Sequence, residues 1–395
     1  NFPIVHCTRS EGESDAAYLE RKLQVLRQIC TLRHLILLDN FDTGDCENLD
    51  FLTELPCPIL VTSRVDYDGI FPQYEVDILS DESALYQMMA YYTKREPDLY
   101  TDAILKALNG HTMAVELVAK QMALHQLTFR EMYEILCAEG ISGDDGKVRQ
   151  LKDSTLREKT AFHHMEILFS VLDLSESEKQ VLRCAALVGA TSMERQYFEV
   201  ISDLNEAEIS SLDRLIQSGW ISEVYQNEMC TLSTHPLIVE VLCEKLRPNS
   251  RECKRILIMS GAVASYIEKS ENAEQRFLSV QWLDHMAHHI QGDDPELSYF
   301  FGTMCYPHSS VLSELGEFQD CNIIAAEALE CFQKNFGELH EQMQWAYLMV
   351  GDNYRKAGDK ENAKRYYDLA IRVLRENDYE TDELEERVEE ILQGM

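Results

Sequence analysis

The chain has 395 residues, with 36 Lys and Arg against 69 Asp and Glu and a formal net charge of −33. That length accommodates two or three domains with their own cores, and 45% hydrophobic with 27% charged content excludes wholesale disorder. A surface this acidic repels phosphate backbones and anionic lipid, so nucleic acid and membrane are excluded as broad electrostatic partners; no apolar run approaches the roughly 18 residues of a spanning helix.

The start, Asn1-Phe2-Pro3, shows neither an initiator Met nor a signal-peptide pattern, and predicts a fragment of something longer. The 12 cysteines are scattered, without a C-x-x-C pair or zinc-type spacing, which predicts buried free thiols in a reducing, cytoplasmic compartment.

Pro3 to Cys7 reads as a short strand, and Asp15 to Leu32 as a helix with Ala16, Leu19, Leu23, Leu26, Ile29 and Cys30 on one side. The runs Leu35-Ile36-Leu37-Leu38 and Pro58-Ile59-Leu60-Val61 predict strands buried on both faces, with a weaker third strand over 74–79. Strands alternating with helices predict a parallel α/β sheet.

From Ser80 the pattern is helical, over about 81–95, 101–108 and 112–125, with Ser80 to Ser83 and Thr101-Asp102 as expected caps. The glycine- and aspartate-rich stretch 140–146 is a loop and candidate boundary. Helices over 176–188, 192–202 and 206–218 lead to a hairpin of 221–225 and 229–233, and His235-Pro236 opens a further helix. Three helices followed by a two-stranded wing predict a winged helix.

The remainder, from about 250, is helix after helix. Tyr347, Val350, Gly351, Tyr354, Gly358, Ala363, Tyr367 and Ala370 follow the spacing of a tetratricopeptide repeat, with small residues where two antiparallel helices touch and aromatics beside them. Gly316, Cys321, Ala325 and Ala328 form a degraded earlier copy. Residues 376–395 carry nine acids against Arg387 and predict an exposed capping helix, apolar at Leu384, Val388, Ile391 and Leu392.

Two strand ends carry the first chemical signal. Asp39 follows one buried run, and Thr62-Ser63-Arg64 follows the other. A carboxylate there can hold Mg²⁺ through water beside nucleotide phosphates, and an Arg on the neighbouring strand can reach a γ-phosphate. Together with Gly110-His111-Thr112-Met113-Ala114 and Ser233-Thr234-His235-Pro236-Leu237, in this order, the chain resembles the STAND signalling ATPases of the NB-ARC or AP-ATPase group with C-terminal tetratricopeptide repeats, cut before the Walker A loop.

The resemblance implies a multidomain, mainly α chain. Its parts are a partial parallel α/β P-loop NTPase core over 1–80, a small helical domain over 81–150, a winged helix over 151–248 and a helical repeat region over 249–395. It further implies that Asp39 holds Mg²⁺, with Asp42 as a substitute catalytic carboxylate, and that Arg64 contacts the γ-phosphate. Gly110 and Thr112 would pack on the adenine, and His235 would reach the β-phosphate of ADP. The cofactor would be ADP or ATP with Mg²⁺, hydrolysis belonging to the full-length protein. The structural alternative for His235 is a helix-opening residue before Pro236.

Three departures stand against this pattern. The only approximation to a phosphate-binding loop, Gly140 to Val148, has the wrong glycine spacing, no Ser or Thr after Lys147, and repelling Asp144 and Asp145. Asn40 takes the second acidic position after the strand, and Thr112 replaces the family's Pro.

The function implied is a nucleotide-controlled signal-transduction switch. Its repeats sense a protein partner, its winged helix closes over ADP, and it forms a homo-oligomer on activation. The departures imply an alternative, a non-catalytic interaction scaffold with a decayed nucleotide site. A DNA-binding regulator is disfavoured because residues 206–214 carry three acids and one base. His285, His288 and His289 share a helix, but with no second ligand cluster in sequence they read as packing or surface residues, and His163-His164 more weakly still.

Overall fold

Among the described residues helices predominate, with one small parallel sheet and one small antiparallel sheet. The structure is a computed structural model. It describes residues 17, 20, 22–24, 26–27, 30–38, 55–63, 72–74, 82–138, 162–169, 174–205, 208–226, 229–270, 273–290, 329–330, 332–341 and 343–394.

Strands β1 (Ile36–Leu38) and β2 (Ile59–Val61) pair in parallel with Ile36 opposite Ile59 and Leu38 opposite Val61. The Thr62 N–H continues the ladder onto the Leu38 carbonyl at 2.8 Å, so both strands end at one edge. The expectation that both faces are buried is corrected: Leu37 and Leu60, opposite each other, are 65% and 57% exposed. An unbroken apolar run does not say which faces will be covered, since successive side chains alternate and each face needs its own neighbour. Residues 72–74 have no regular structure, and the rest of the expected third strand lies outside the described residues.

The helices α1 (Glu82–Thr93), α2 (Leu99–Ala107), α3 (Thr112–His125) and α4 (Phe129–Ala138) follow. The expected cap at Thr101 is corrected, because Asp98 caps α2 and Thr101 answers from the third helical position, closing a capping box. The Asp98 carboxylate accepts the Tyr100 and Thr101 N–H groups, and the Thr101 hydroxyl accepts the Asp98 N–H at 2.9 Å.

Residues 162–169 are helical and precede α5 (Glu176–Val188), which opens on a capping box between Ser175 and the buried Glu178. The expected helix over 192–202 is corrected at its start. Met193 and Glu194 form strand β3, with Met193 buried opposite Leu232, and helix α6 begins only at Arg195 (Arg195–Ile201). Pairing with a neighbouring strand satisfies backbone groups that a helical first turn would leave unpartnered.

After α7 (Ile209–Gln217), strands β4 (Ser222–Gln226) and β5 (Met229–Ser233) form the expected hairpin, and the sheet order is β3-β5-β4. Arg195 locks this unit with three ion pairs, to Glu199 at 2.7 Å, Asp213 at 2.6 Å and Glu223 at 2.7 Å. The one base on α7, Arg214, is spent on Glu178 at 3.3 Å.

Helices α8 (Pro236–Leu246), α9 (Lys254–Ile267) and α10 (Ala273–His289) continue the chain. The C-terminal region has α11 (Met343–Lys356), α12 (Lys360–Glu376) and α13 (Asp382–Gly394). Helices α11 and α12 form a hairpin whose contact point is Gly351, where an added Cβ would lie 2.8 Å from the Tyr367 ring. Val388 and Leu392 of α13 close the end of this pair over Ala363, Tyr367 and Ile371. The degraded copy around Gly316 to Ala328 lies outside the described residues.

One continuous buried core runs from Leu85 of α1 through Trp220 and Trp282 to Val373 of α12. Among the described residues the elements of the expected helical, hairpin-bearing and repeat units therefore share apolar surface.

Candidate functional site

Of the site residues expected from sequence, Asp39, Asp42 and Arg64 lie outside the described residues. Gly110, Thr112 and His235 are described, and they fall at the starts of two helices.

Helix α2 ends at Ala107, with Leu108 as its C-cap. Asn109 and Gly110 follow with positive φ, 52° and 64°, and the Gly110 N–H returns to the Leu105 carbonyl at 2.9 Å. This left-handed turn reverses the chain within one residue of the next helix, which is why glycine is placed there. A Cβ on Gly110 would also meet Leu85 Cδ1 at 3.3 Å. His111 is the N-cap of α3, and its Nδ1 accepts the Ala114 N–H at 3.4 Å. Thr112 is the first helical residue, a position whose N–H has no intrahelical partner. Proline is favoured there for that reason, so the departure to threonine leaves the turn intact.

His235 occupies the corresponding place on α8. It is the N-cap, Pro236 follows at the first helical position, and Nδ1 accepts the Leu237 N–H at 3.2 Å. The structural role anticipated for it, opening a helix, is thus what its contacts display.

The two caps are 124 residues apart in sequence (235 − 111), and the fold brings them into electrostatic range. Burial first, and His235 second, hold His111 below the ordinary histidine range. His164 joins them. It is buried, its Nδ1 has no hydrogen-bond partner, and burial followed by His163 and His111 pushes it down to about 4. His235 is also held low by surrounding protein, but its side chain reaches solvent and exchanges protons with water, so His164 is the more strongly perturbed group. Glu166, beside His164 in sequence, pairs with Lys245 of α8 at 2.7 Å and with His163 at 3.6 Å.

The tautomers follow from the caps. A ring nitrogen that accepts a backbone N–H carries no proton, so His111 and His235 keep theirs on Nε2 and present N–H donors. Two helix N-termini add positive partial charge and backbone donors. The arrangement offers N–H donors of the kind that suit an anion, and it supplies no nucleophile.

Sequence reasoning passed over His111 and undervalued His164. The available signal was a histidine between apolar neighbours, in Phe162-His163-His164-Met165, on a segment that had to bury one side. The described surface clefts do not include these residues; one is lined by Ser177, Asp203, Glu208 and Arg255, the other by α12 side chains.

No protein-family description matches the sequence, and no curated protein matches it. A solved structure similar to this chain is that of a signal transduction ATPase with numerous domains (STAND) with a tetratricopeptide repeat sensor, from Pyrococcus horikoshii, at TM-score 0.42 and 12% identity. The likeness covers 93% of this chain and 53% of that one, so the chain spans about half that protein's length. A likeness of that size carries no argument, and the site is judged on its own residues. No helix among the described residues is long and apolar enough to cross a membrane.

Proposed function

We propose that this chain is the grip and sensor part of a nucleotide-controlled signalling switch. The observation that carries the reading is that the Gly110–Thr112 turn and His235 stand at two helix N-termini, with the charge of His235 felt at His111 and that of His111 felt at His164. These are the two segments that the family resemblance assigns to ADP.

In this reading β3, β4, β5 and their helices form a winged-helix lid. The Nε2–H of His235 donates to the β-phosphate, and the Gly110–Thr112 turn packs beside the adenine. Asp39 holds Mg²⁺ through water with Asp42 nearby, and Arg64 contacts the γ-phosphate, all three on the strength of the resemblance. The α11–α12 hairpin belongs to a repeat array that receives a protein partner, and release of ADP permits homo-oligomerisation.

One charge-assisted hydrogen bond to phosphate contributes roughly 1.5–3 kcal/mol. His235→Ala in the full-length protein is therefore expected to weaken ADP retention by about 10- to 150-fold and to raise basal signalling. Unchanged retention of labelled ADP defeats the reading.

Asn40 favours a second reading, a scaffold whose nucleotide site has decayed, since it removes the usual water-activating carboxylate. Absence of ADP binding at millimolar concentration selects it.

A further inference from the structure

We infer that Cys243, His285 and His289 form a site for one zinc-class divalent cation, at the seam between α8 and α10. Each side chain offers one ligand atom, and these atoms all lie within 4.8 Å of one another. Sequence alone gave three histidines on one helix, His285, His288 and His289, and no second ligand cluster. The fold supplies Cys243 from α8, 42 residues upstream of His285 (285 − 243).

Two of the three groups share one backbone oxygen, and the third is tied to the neighbouring turn of α10. Cys243 Sγ lies 3.6 Å from the Ala186 carbonyl of α5, and His285 Nε2 lies 3.0 Å from the same atom. His289 Nδ1 lies 2.9 Å from the His285 carbonyl. A carbonyl only accepts, so His289 carries its proton on Nδ1 and keeps a bare lone pair on Nε2. This is the arrangement of a ligating histidine with its outer hydrogen bond already made. His289 also closes α10, where unsatisfied carbonyls gather negative partial charge and favour a cation.

The donor set decides the class of ion. One thiol and two imidazoles, with no carboxylate, suit a borderline-soft ion that accepts tetrahedral geometry, with water in the fourth position, and do not suit Mg²⁺ or Ca²⁺. The exchange balances without redox chemistry. The sulfur pair that held the thiol proton forms the bond to the cation, and one proton leaves to solvent. His285 keeps its proton on Nε2, donated to the Ala186 carbonyl, and offers the Nδ1 lone pair.

The rings of His285 and His289 stack at 3.9 Å between centroids with 20° between planes, so their lone pairs run side by side. Closing on an ion takes rotation of one ring. His289 is exposed and pivots about its Nδ1 bond to the His285 carbonyl, whereas His285 is wedged against Gly189, where even an added Cβ would fall 2.6 Å from its ring.

The site does not depend on the nucleotide reading. It is tested on the whole chain, freed of metal by chelator and titrated with Co²⁺ as the probe, then with Zn²⁺ in competition. One equivalent of Co²⁺ is expected to give a sulfur-to-cobalt charge-transfer band with tetrahedral visible bands, displaced by Zn²⁺ and not by Mg²⁺. Cys243→Ser removes the band. His289→Ala, at an exposed position that leaves folding intact, weakens Zn²⁺ binding by at least the about 10- to 100-fold that outer-shell changes cost. Cys230→Ser, a thiol outside the cluster, changes neither. No charge-transfer band at one equivalent, a band that survives Cys243→Ser, or unchanged affinity in His289→Ala overturns the inference.

Discussion

Two histidine clusters each take one residue from α8 and are built for opposite charges. At the start of α8, His235 accepts a backbone N–H through Nδ1, as His111 does at the start of α3, so both present protons outward. About two turns along α8, Cys243 faces His289, whose Nδ1 donates to a carbonyl at the end of α10 and leaves a lone pair outward. The same imidazole becomes an anion donor at a helix N-terminus and a cation ligand at a C-terminus, because the helix end fixes which nitrogen holds the proton.

The largest effect expected from breaking this contrast is on acid stability. His164 lies at about 4 in the folded chain against an ordinary 6.5. The unfolded chain therefore binds the proton first, so stability is complete above pH 6.5 and drains as pH falls towards 4. The full difference is about 3 kcal/mol, at one proton per group. Urea unfolding followed between pH 7 and pH 4.5 should show the decline, and His164→Leu should flatten it. An unchanged slope in that variant would place the acid sensitivity elsewhere.

Next in size is the anion response of the first cluster. His235 and His111 are held below the ordinary range, and a bound phosphate must raise them. ADP binding should take up protons and tighten as pH falls from about 8 to 6, and His235→Ala, with its roughly 10- to 150-fold loss, should blunt that dependence. Calorimetry in buffers of different ionisation heat measures the uptake directly.

Gly110→Ala forces a side chain into a φ of +64° and should cost about 1–2 kcal/mol of stability. Asn, which tolerates that region, should recover part of it. Denaturant midpoints of the two variants decide whether backbone conformation or the nearby Leu85 sets the cost.

The smallest effect expected is at Lys245, whose pair with Glu166 ties the C-terminal end of α8 to the segment carrying His164. Both side chains are partly exposed, so Lys245→Ala should cost about 0.2–1 kcal/mol, less at high salt. A larger loss would mean that α8 is held mainly from that end.

Much of the architecture was legible in the chain. The bounds of α3 match the expected 112–125, β5 of the hairpin matches the expected 229–233 with β4 one residue later than expected, and Gly351 meets Tyr367 as the repeat spacing requires. Each of these rests on a local rule, a cap, an alternation or a small residue at a close approach. What failed rested on neighbours. The open face of Leu37 and Leu60, and the two-residue strand at Met193, depend on what lies alongside, which a run of apolar letters does not state.

The candidate sites divide in the same way. Sequence picked out Gly110, Thr112 and His235 as single positions and gave His285 and His289 their helical spacing. It could not join His111 and His164 to His235, nor Cys243 to the two histidines of α10. Periodicity along a helix is set by 3.6 residues per turn and can be counted along the chain. Contact between helices far apart in sequence is set by how a shared core closes, and only the packed chain decides that.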